Sequence, residues 1–367
     1  MTRPDSAAPL QNIPVTDNRI FYSTRGEISL SGDAGPTIQR RKFIEQIAIA
    51  SLGFTLTQSF TTKKELFKSG RVGMIGLDTS HCEAFTKILN DPSAPPEYEG
   101  FRVTAAYPYG SKTIKSSTDR IPEITAAIKK YNVLITDSID ELLNQVDVVL
   151  LETNDGRLHH GQALQVMKAG KRLFIDKPVA ASFKDAIAIY EAAKKYNVPV
   201  FSSSSLRFTP IVQDIAQGKT IGKVLGVDTY TPCVIEQTHP DFFWYGIHGI
   251  EVLYTILGSN CKQVVCTHTT DTDIVTGIWE DERVGSFRGT RTGEHNYGGT
   301  AFGEKGNIHF SAYAGYEPLV KEIVRFFRTG ISPVSPEQTI EICAFMEAAE
   351  ESKRKGGTPV ELKKILK

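Results

Sequence analysis

The chain has 367 residues, enough for two sizeable cores, and its 42 basic and 42 acidic residues cancel. That balance leaves no electrostatic footprint for nucleic acid or an anionic membrane and favours a small, weakly charged ligand. The five cysteines (Cys82, Cys233, Cys261, Cys266, Cys343) contain no Cys-x-x-Cys pair, which argues against a disulfide framework or a structural zinc. On one strand, Cys261 and Cys266 are expected to point to opposite faces.

Residues 1–36 mix Pro, Asn, Ser, Gly and Asp without an apolar period and are predicted to be disordered. Arg40-Arg41-Lys42-Phe43-Ile44 then precedes an uncharged run over 47–60 that is too short to span a membrane. The paired arginines and apolar run resemble a twin-arginine export signal, which implies a periplasmic or exported protein. The alternative is a basic helix in an extension arm of a cytoplasmic protein. Residues 1–69 are read as extension, signal and linker.

The stretch Arg71 to Leu89 organises the rest of the chain. An apolar run over 72–75 stops at Gly76, a polar turn comes next, and Phe85, Ile88 and Leu89 recur at helical spacing. Strand, tight turn and helix in that order open a dinucleotide-binding fold, where the helix N-terminus holds a pyrophosphate. The glycine fingerprint is incomplete: Gly76 stands first, but Asp78 and His81 occupy the second and third glycine positions. Asp78 either faces a ribose or substrate hydroxyl, with Thr79 and Ser80 supplying donors, or caps the helix.

A strand over 101–106 ends at Tyr107-Pro108-Tyr109-Gly110-Ser111-Lys112, without the acid that an NAD-specific ribose site carries. Ser111 and Lys112 lean the expectation toward NADP; a solvated turn is the alternative. Further on, helices are predicted over 121–131, 138–144, 161–169 and 183–196. Strands are predicted over 133–135, 146–151, 172–175 and 198–201. Ser138 and Glu141 make a capping box. The alternation predicts a doubly wound parallel α/β domain over residues 70–200.

Beyond Ser202 the pattern changes. A helix over 210–217 precedes strands over 222–230, 263–270, 272–279, 282–288 and 298–310. Helices over 248–257, 316–329 and 335–355 are expected to cover one face of their sheet. Residues 201–367 are thus predicted to form an α+β domain with a largely antiparallel sheet.

Three pieces recur in one order: Glu152-Thr153-Asn154 with His159, then Ala169-Gly170-Lys171, then Asp176-Lys177-Pro178. With Arg207-Phe208, Gly222-Lys223-Val224 and Gly246-Ile247-His248 with Glu251, this ensemble resembles the Gfo/Idh/MocA oxidoreductases, the glucose–fructose oxidoreductase and inositol dehydrogenase family. The resemblance implies NAD or NADP as cofactor and a sugar, cyclitol or glycoside as substrate. It places Lys177 at the nicotinamide and the reacting hydroxyl, with Asp176 standing for the family's Glu. It makes His248 the general base, while Trp244 replaces an expected Asp, so that Tyr245 is a candidate helping donor. It also implies cofactor contacts from Thr153, Asn154, His159 and Arg207.

The residues themselves support parts of this. Lys177 ends a parallel strand, where open α/β sheets place ligands. His248 and Glu251 share a helix face, where Glu could orient the imidazole. Adjacent His159 and His160 cannot share a face, and no metal site is predicted. Two readings stand beside hydride transfer: redox-neutral glycoside processing with a retained cofactor, and a carbohydrate-binding protein whose nucleotide site has decayed. Self-association through the second sheet is expected from the resemblance.

Overall fold

In the computed structural model, which describes residues 69–98, 100–294 and 296–367, the apolar run after Ser69 forms β1 (Gly70–Ile75) and leads into α1 (Ser80–Asn90). The arginine pair at 40–41 lies outside the described residues. Next in the chain are β2 (Phe101–Tyr107), α2 (Lys115–Thr118), α3 (Ile121–Lys129), β3 (Leu134–Ile135), α4 (Ile139–Gln145) and β4 (Val148–Leu151). Then come α5 (Gly156–Lys168), β5 (Arg172–Ile175), α6 (Phe183–Tyr196) and β6 (Val200–Ser202). The strands pair in parallel in the order β3-β2-β1-β4-β5-β6. This doubly wound order gathers the carboxyl ends at one edge and opens a crevice where it reverses, between β1 and β4. Every residue of β4 is buried, as its unbroken apolar run requires of a strand covered on both faces.

Two helix starts differ in detail from expectation. Ser138 caps α4 by accepting the Glu141 N–H at 3.1 Å, but Glu141 reaches back to the N–H of Asp137. Helix α5 begins at Gly156, several residues before the predicted 161, because Asp155 caps it by accepting the Arg157 N–H. His159 therefore sits in the helix's first turns and not in a loop.

The second unit contains α7 (Pro210–Ala216), β7 (Val224–Pro232), α8 (Ile247–Leu257), β8 (Cys261–His268), β9 (Thr272–Trp279) and β10 (Val284–Thr290). It continues with β11 (Gly298–Gly303), β12 (Gly306–Ser311), α9 (Glu317–Thr329), α10 (Pro336–Arg354), β13 (Val360–Glu361) and α11 (Leu362–Ile365). The sheet order is β12-β11-β7-β10-β9-β8-β13, with β7 and β10 parallel and the other neighbours antiparallel. The single strand expected over 298–310 is a hairpin, turned at Glu304-Lys305 and closed by Gly306 at a φ of 123°.

Two packing expectations are corrected. Helix α9 does not cover the second sheet. Its Leu319, Val320, Ile323, Val324, Phe326 and Phe327 pack with Val72, Phe85, Phe101, Phe174 and Phe201 of the first unit. Amphipathic spacing demands a buried face without saying which sheet supplies the cover. Cys261 and Cys266 are both buried, because a register shift between Cys261 and Gln263 turns the strand by one residue. All five cysteines are free and buried.

Candidate functional site

A cleft of about 370 Å³ lies along the carboxyl edge of the first sheet. One wall comes from the loops after β1, β4 and β5, through Thr79, Ser80, His81, Asn154 and Lys177. The other comes from the second unit, through Trp244, Tyr245, His248, Tyr297, Tyr313 and Tyr316. Ser116 and Arg120, beyond β2, extend the lining. Lys177, His248 and Tyr245, separate in sequence, are thus brought together.

His248 projects from the first turn of α8 and is 7% exposed. Its Nδ1 lies 2.7 Å from Ser204 Oγ, which also accepts the Leu206 N–H at 3.2 Å. Burial, reinforced by the Lys177 charge, holds this imidazole well below its usual pKa of 6.5, so it is neutral at neutral pH. The Glu251 carboxylate is engaged elsewhere. The carboxylate takes the Ser204 N–H at 2.9 Å, the Ser203 hydroxyl and Arg207 Nε at 2.7 Å. Glu251 therefore fixes the turn after β6, and that turn orients His248. Lys177 Nζ lies 5.6 Å from the centroid of the Tyr245 ring, and Tyr245 shares a 2.9 Å hydrogen bond with the Tyr297 hydroxyl.

Beneath Lys177, three ionisable groups meet. His81 Nδ1 lies 3.1 Å from Asp176 Oδ2 and 3.6 Å from Glu152 Oε2. Burial drives the imidazole pKa down, but the two facing carboxylates outweigh it and raise it to about 9. Burial lifts Glu152 to about 7 against the pull of His81. Asp176 is also desolvated, yet His81 and Lys177 hold it below the usual carboxylate range.

Several predicted contact residues lie behind the cleft wall. Asp78 is fully buried and accepts backbone N–H groups from Asn154 at 2.9 Å and Ser111 at 3.4 Å. It ties the loops after β1, β2 and β4 together, and it is not the cap of α1, whose N-cap is Thr79. Ser111 is turned inward as well, its hydroxyl donating to Asp155 at 2.8 Å. His159 sets its ring nitrogens against the carbonyls of Thr153 and Val179, and Arg207 is buried on Glu251. Gly76, at a φ of 83°, lets Thr153 approach so closely that a Cβ there would meet the Thr153 Cα at 2.5 Å. Asn154 remains on the cleft wall, half-buried.

Glu152, Ser204, Tyr297, Tyr313 and Tyr316 enter the site without having been predicted to act there. The run of four serines at 202–205, at the end of a parallel strand, was a usable signal for Ser204. The tyrosines, scattered over loops of the second unit, had none.

A dinucleotide fits the wall that remains. Thr79 stands at the N-cap of α1 beside the cleft, and its side chain makes no capping hydrogen bond to the first-turn N–H groups. Such a helix start receives a pyrophosphate. Thr79, Ser80 and Asn154 would hold the phosphates and adjoining ribose, with Lys177 at the reactive end.

Residues 71–204 match the sequence model of a family described as an oxidoreductase family with an NAD-binding Rossmann fold, Gfo/Idh/MocA. A curated relative, an uncharacterized oxidoreductase of Streptococcus pneumoniae, is 24% identical over 158 residues, 39% of this chain. The chain spans 43% of that relative's length. Among solved structures, a probable dehydrogenase from Thermotoga maritima is 20% identical, with a TM-score of 0.66 over 80% of this chain and 99% of the other. Scyllo-inositol dehydrogenase from Lactobacillus casei, solved with NAD(H) and scyllo-inositol, is 15% identical, with a TM-score of 0.63 over 80% of this chain and 99% of the other. At these identities the structural likeness establishes a shared fold.

Proposed function

We propose that the chain, whose residues 71–204 match the Gfo/Idh/MocA oxidoreductase model, transfers a hydride between NAD(P) and a secondary alcohol of a sugar, cyclitol or glycoside. The observation that carries the reading is the convergence of Lys177 and neutral His248 from opposite walls of one cleft. The bound nicotinamide supplies the hydride acceptor or donor. With Nδ1 engaged by Ser204, His248 Nε2 is the nitrogen left to take the hydroxyl proton. The Lys177 ammonium stabilises the negative charge that develops on the same oxygen. Trp244, Tyr297 and Tyr313 offer ring faces with polar tips, suited to a substrate that is apolar on its C–H faces and hydroxylated at its rim. The structural likeness to a scyllo-inositol dehydrogenase supports the cyclitol class.

The test is nucleotide reduction by the purified chain with NAD or NADP and a panel of cyclitols, hexoses and glycosides. Reduction with at least one compound, lost in Lys177→Ala and His248→Ala while both stay folded by circular dichroism, is the expected result. Full activity in both variants would remove these residues from the chemistry. Self-association belongs to the same proposal: Leu225, Val284 and Phe302 are exposed on β7, β10 and β11. A mass consistent with a single chain in light scattering would count against it. Export through the Arg40-Arg41 signal is likewise proposed, and unchanged location in a host lacking the twin-arginine translocon would contradict it.

A further inference from the structure

We infer that His81, Glu152 and Asp176 form a binding site for one divalent transition-metal cation on the floor of the cleft. One ligand atom from each residue, an imidazole nitrogen and two carboxylate oxygens, lies within 4.8 Å of the other two. The side chains are 9%, 0% and 2% exposed. Despite that burial, both Glu152 oxygens, Asp176 Oδ1 and His81 Nδ1 have no hydrogen-bond partner among the described residues. His81 Nδ1 is near enough to Asp176 Oδ2, at 3.1 Å, but not aligned with it as a hydrogen bond. Buried carboxylate oxygens without a donor call for a specific explanation. Two carboxylates and an imidazole nitrogen this close together are what a divalent cation requires, the metal taking the place of the imidazole proton.

The frame is rigid, since the ligands come from the first turn of α1 and the loops that end β4 and β5. The Lys177 ammonium lies 5.6 Å from the centroid of the Tyr245 ring and is not one of the three ligand groups. Cys82 is not a fourth ligand, because its thiol donates to the Gly76 carbonyl at 3.2 Å. One imidazole with two carboxylates and no thiolate suits Zn²⁺ or Mn²⁺; Cu⁺ prefers sulfur, and Ca²⁺ and Mg²⁺ prefer all-oxygen sets. Three protein ligands leave coordination open. His81 lines the cleft together with Lys177 and His248, so a substrate hydroxyl or a water entering there would complete the shell.

The experiment is calorimetric titration of the chelator-treated full chain with ZnCl₂ and MnCl₂, and with MgCl₂ as the hard-cation control. One Zn²⁺ or Mn²⁺ per chain is expected, with at least tenfold weaker binding in Glu152→Gln and His81→Gln and no saturable binding of Mg²⁺. No saturable binding of either transition metal, or binding unchanged in both variants, overturns the site; preferential binding of Mg²⁺ overturns the cation class. Should a variant fail to fold, X-ray absorption on the zinc-loaded native chain decides: an oxygen and imidazole shell supports the site, and a sulfur shell contradicts it. None of these readouts depends on turnover, so failure here leaves the hydride-transfer reading standing.

Discussion

His81 and His248 line the same cleft and are equally buried, at 7% exposure each, yet their surroundings drive them in opposite directions. His81 faces two carboxylates, which hold positive charge on or near it. His248 faces a serine hydroxyl in place of a carboxylate, and burial, reinforced by the Lys177 ammonium, keeps it neutral. One residue type thus provides a cation-seeking point on the cleft floor and a proton acceptor on its wall. The partners decide the role.

The largest effects separate the two walls. Lys177→Ala and His248→Ala each lower kcat/KM by roughly a hundred- to ten-thousandfold, the range for a lost acid–base group, with the melting temperature little changed. Steady-state kinetics beside thermal unfolding check this. A loss that tracks unfolding would make both residues structural.

Next comes Arg207, paired with Glu251 at 2.7 Å with side chains 8% and 4% exposed. Arg207→Ala is expected to cost about 3–5 kcal/mol of stability, since it strands a buried carboxylate. Denaturant unfolding measures the loss. Unchanged stability with weaker nucleotide binding would return Arg207 to the cofactor.

Asp78 gives the sharpest contrast between motif and structure. Restoring the missing glycine with Asp78→Gly is expected to weaken the protein, because the buried N–H groups of Asn154 and Ser111 lose their acceptor at about 1–3 kcal/mol for each. A variant that unfolds later than the native chain, or binds nucleotide more tightly at equal stability, contradicts the staple described for this residue.

The smallest effect is in pH. Because burial and Lys177 depress His248, protonation removes the base only below pH 6.5, and the acid limb of kcat/KM is expected there. A limb at or above 6.5 would mean an ordinary, solvated imidazole.

Much of this was legible in the order of residues. Strand, turn and helix around Gly76, the unbroken apolar β4, and Lys177 at a strand end all arise from local patterning, which short-range sterics enforce. What could not be read depends on partners distant in sequence. Asp78 finds its donors 33 and 76 residues away, so its motif position suggested a nucleotide contact while its burial makes it a tie between loops. Helix α9 displays an apolar face, but nothing local selects the first sheet over the second. A one-residue irregularity at Cys261 reverses a facing argument that assumed a regular strand. Glu152 reads as the end of a core strand until His81 and Asp176 are set beside it.

The most direct test is calorimetric titration of the native chain with NAD and with NADP, together with analysis of nucleotide released on denaturation. One nucleotide per chain, by fresh binding or by release, is the predicted result. A chain that releases none and gives no saturable heat with either would contradict the hydride-transfer account at its root.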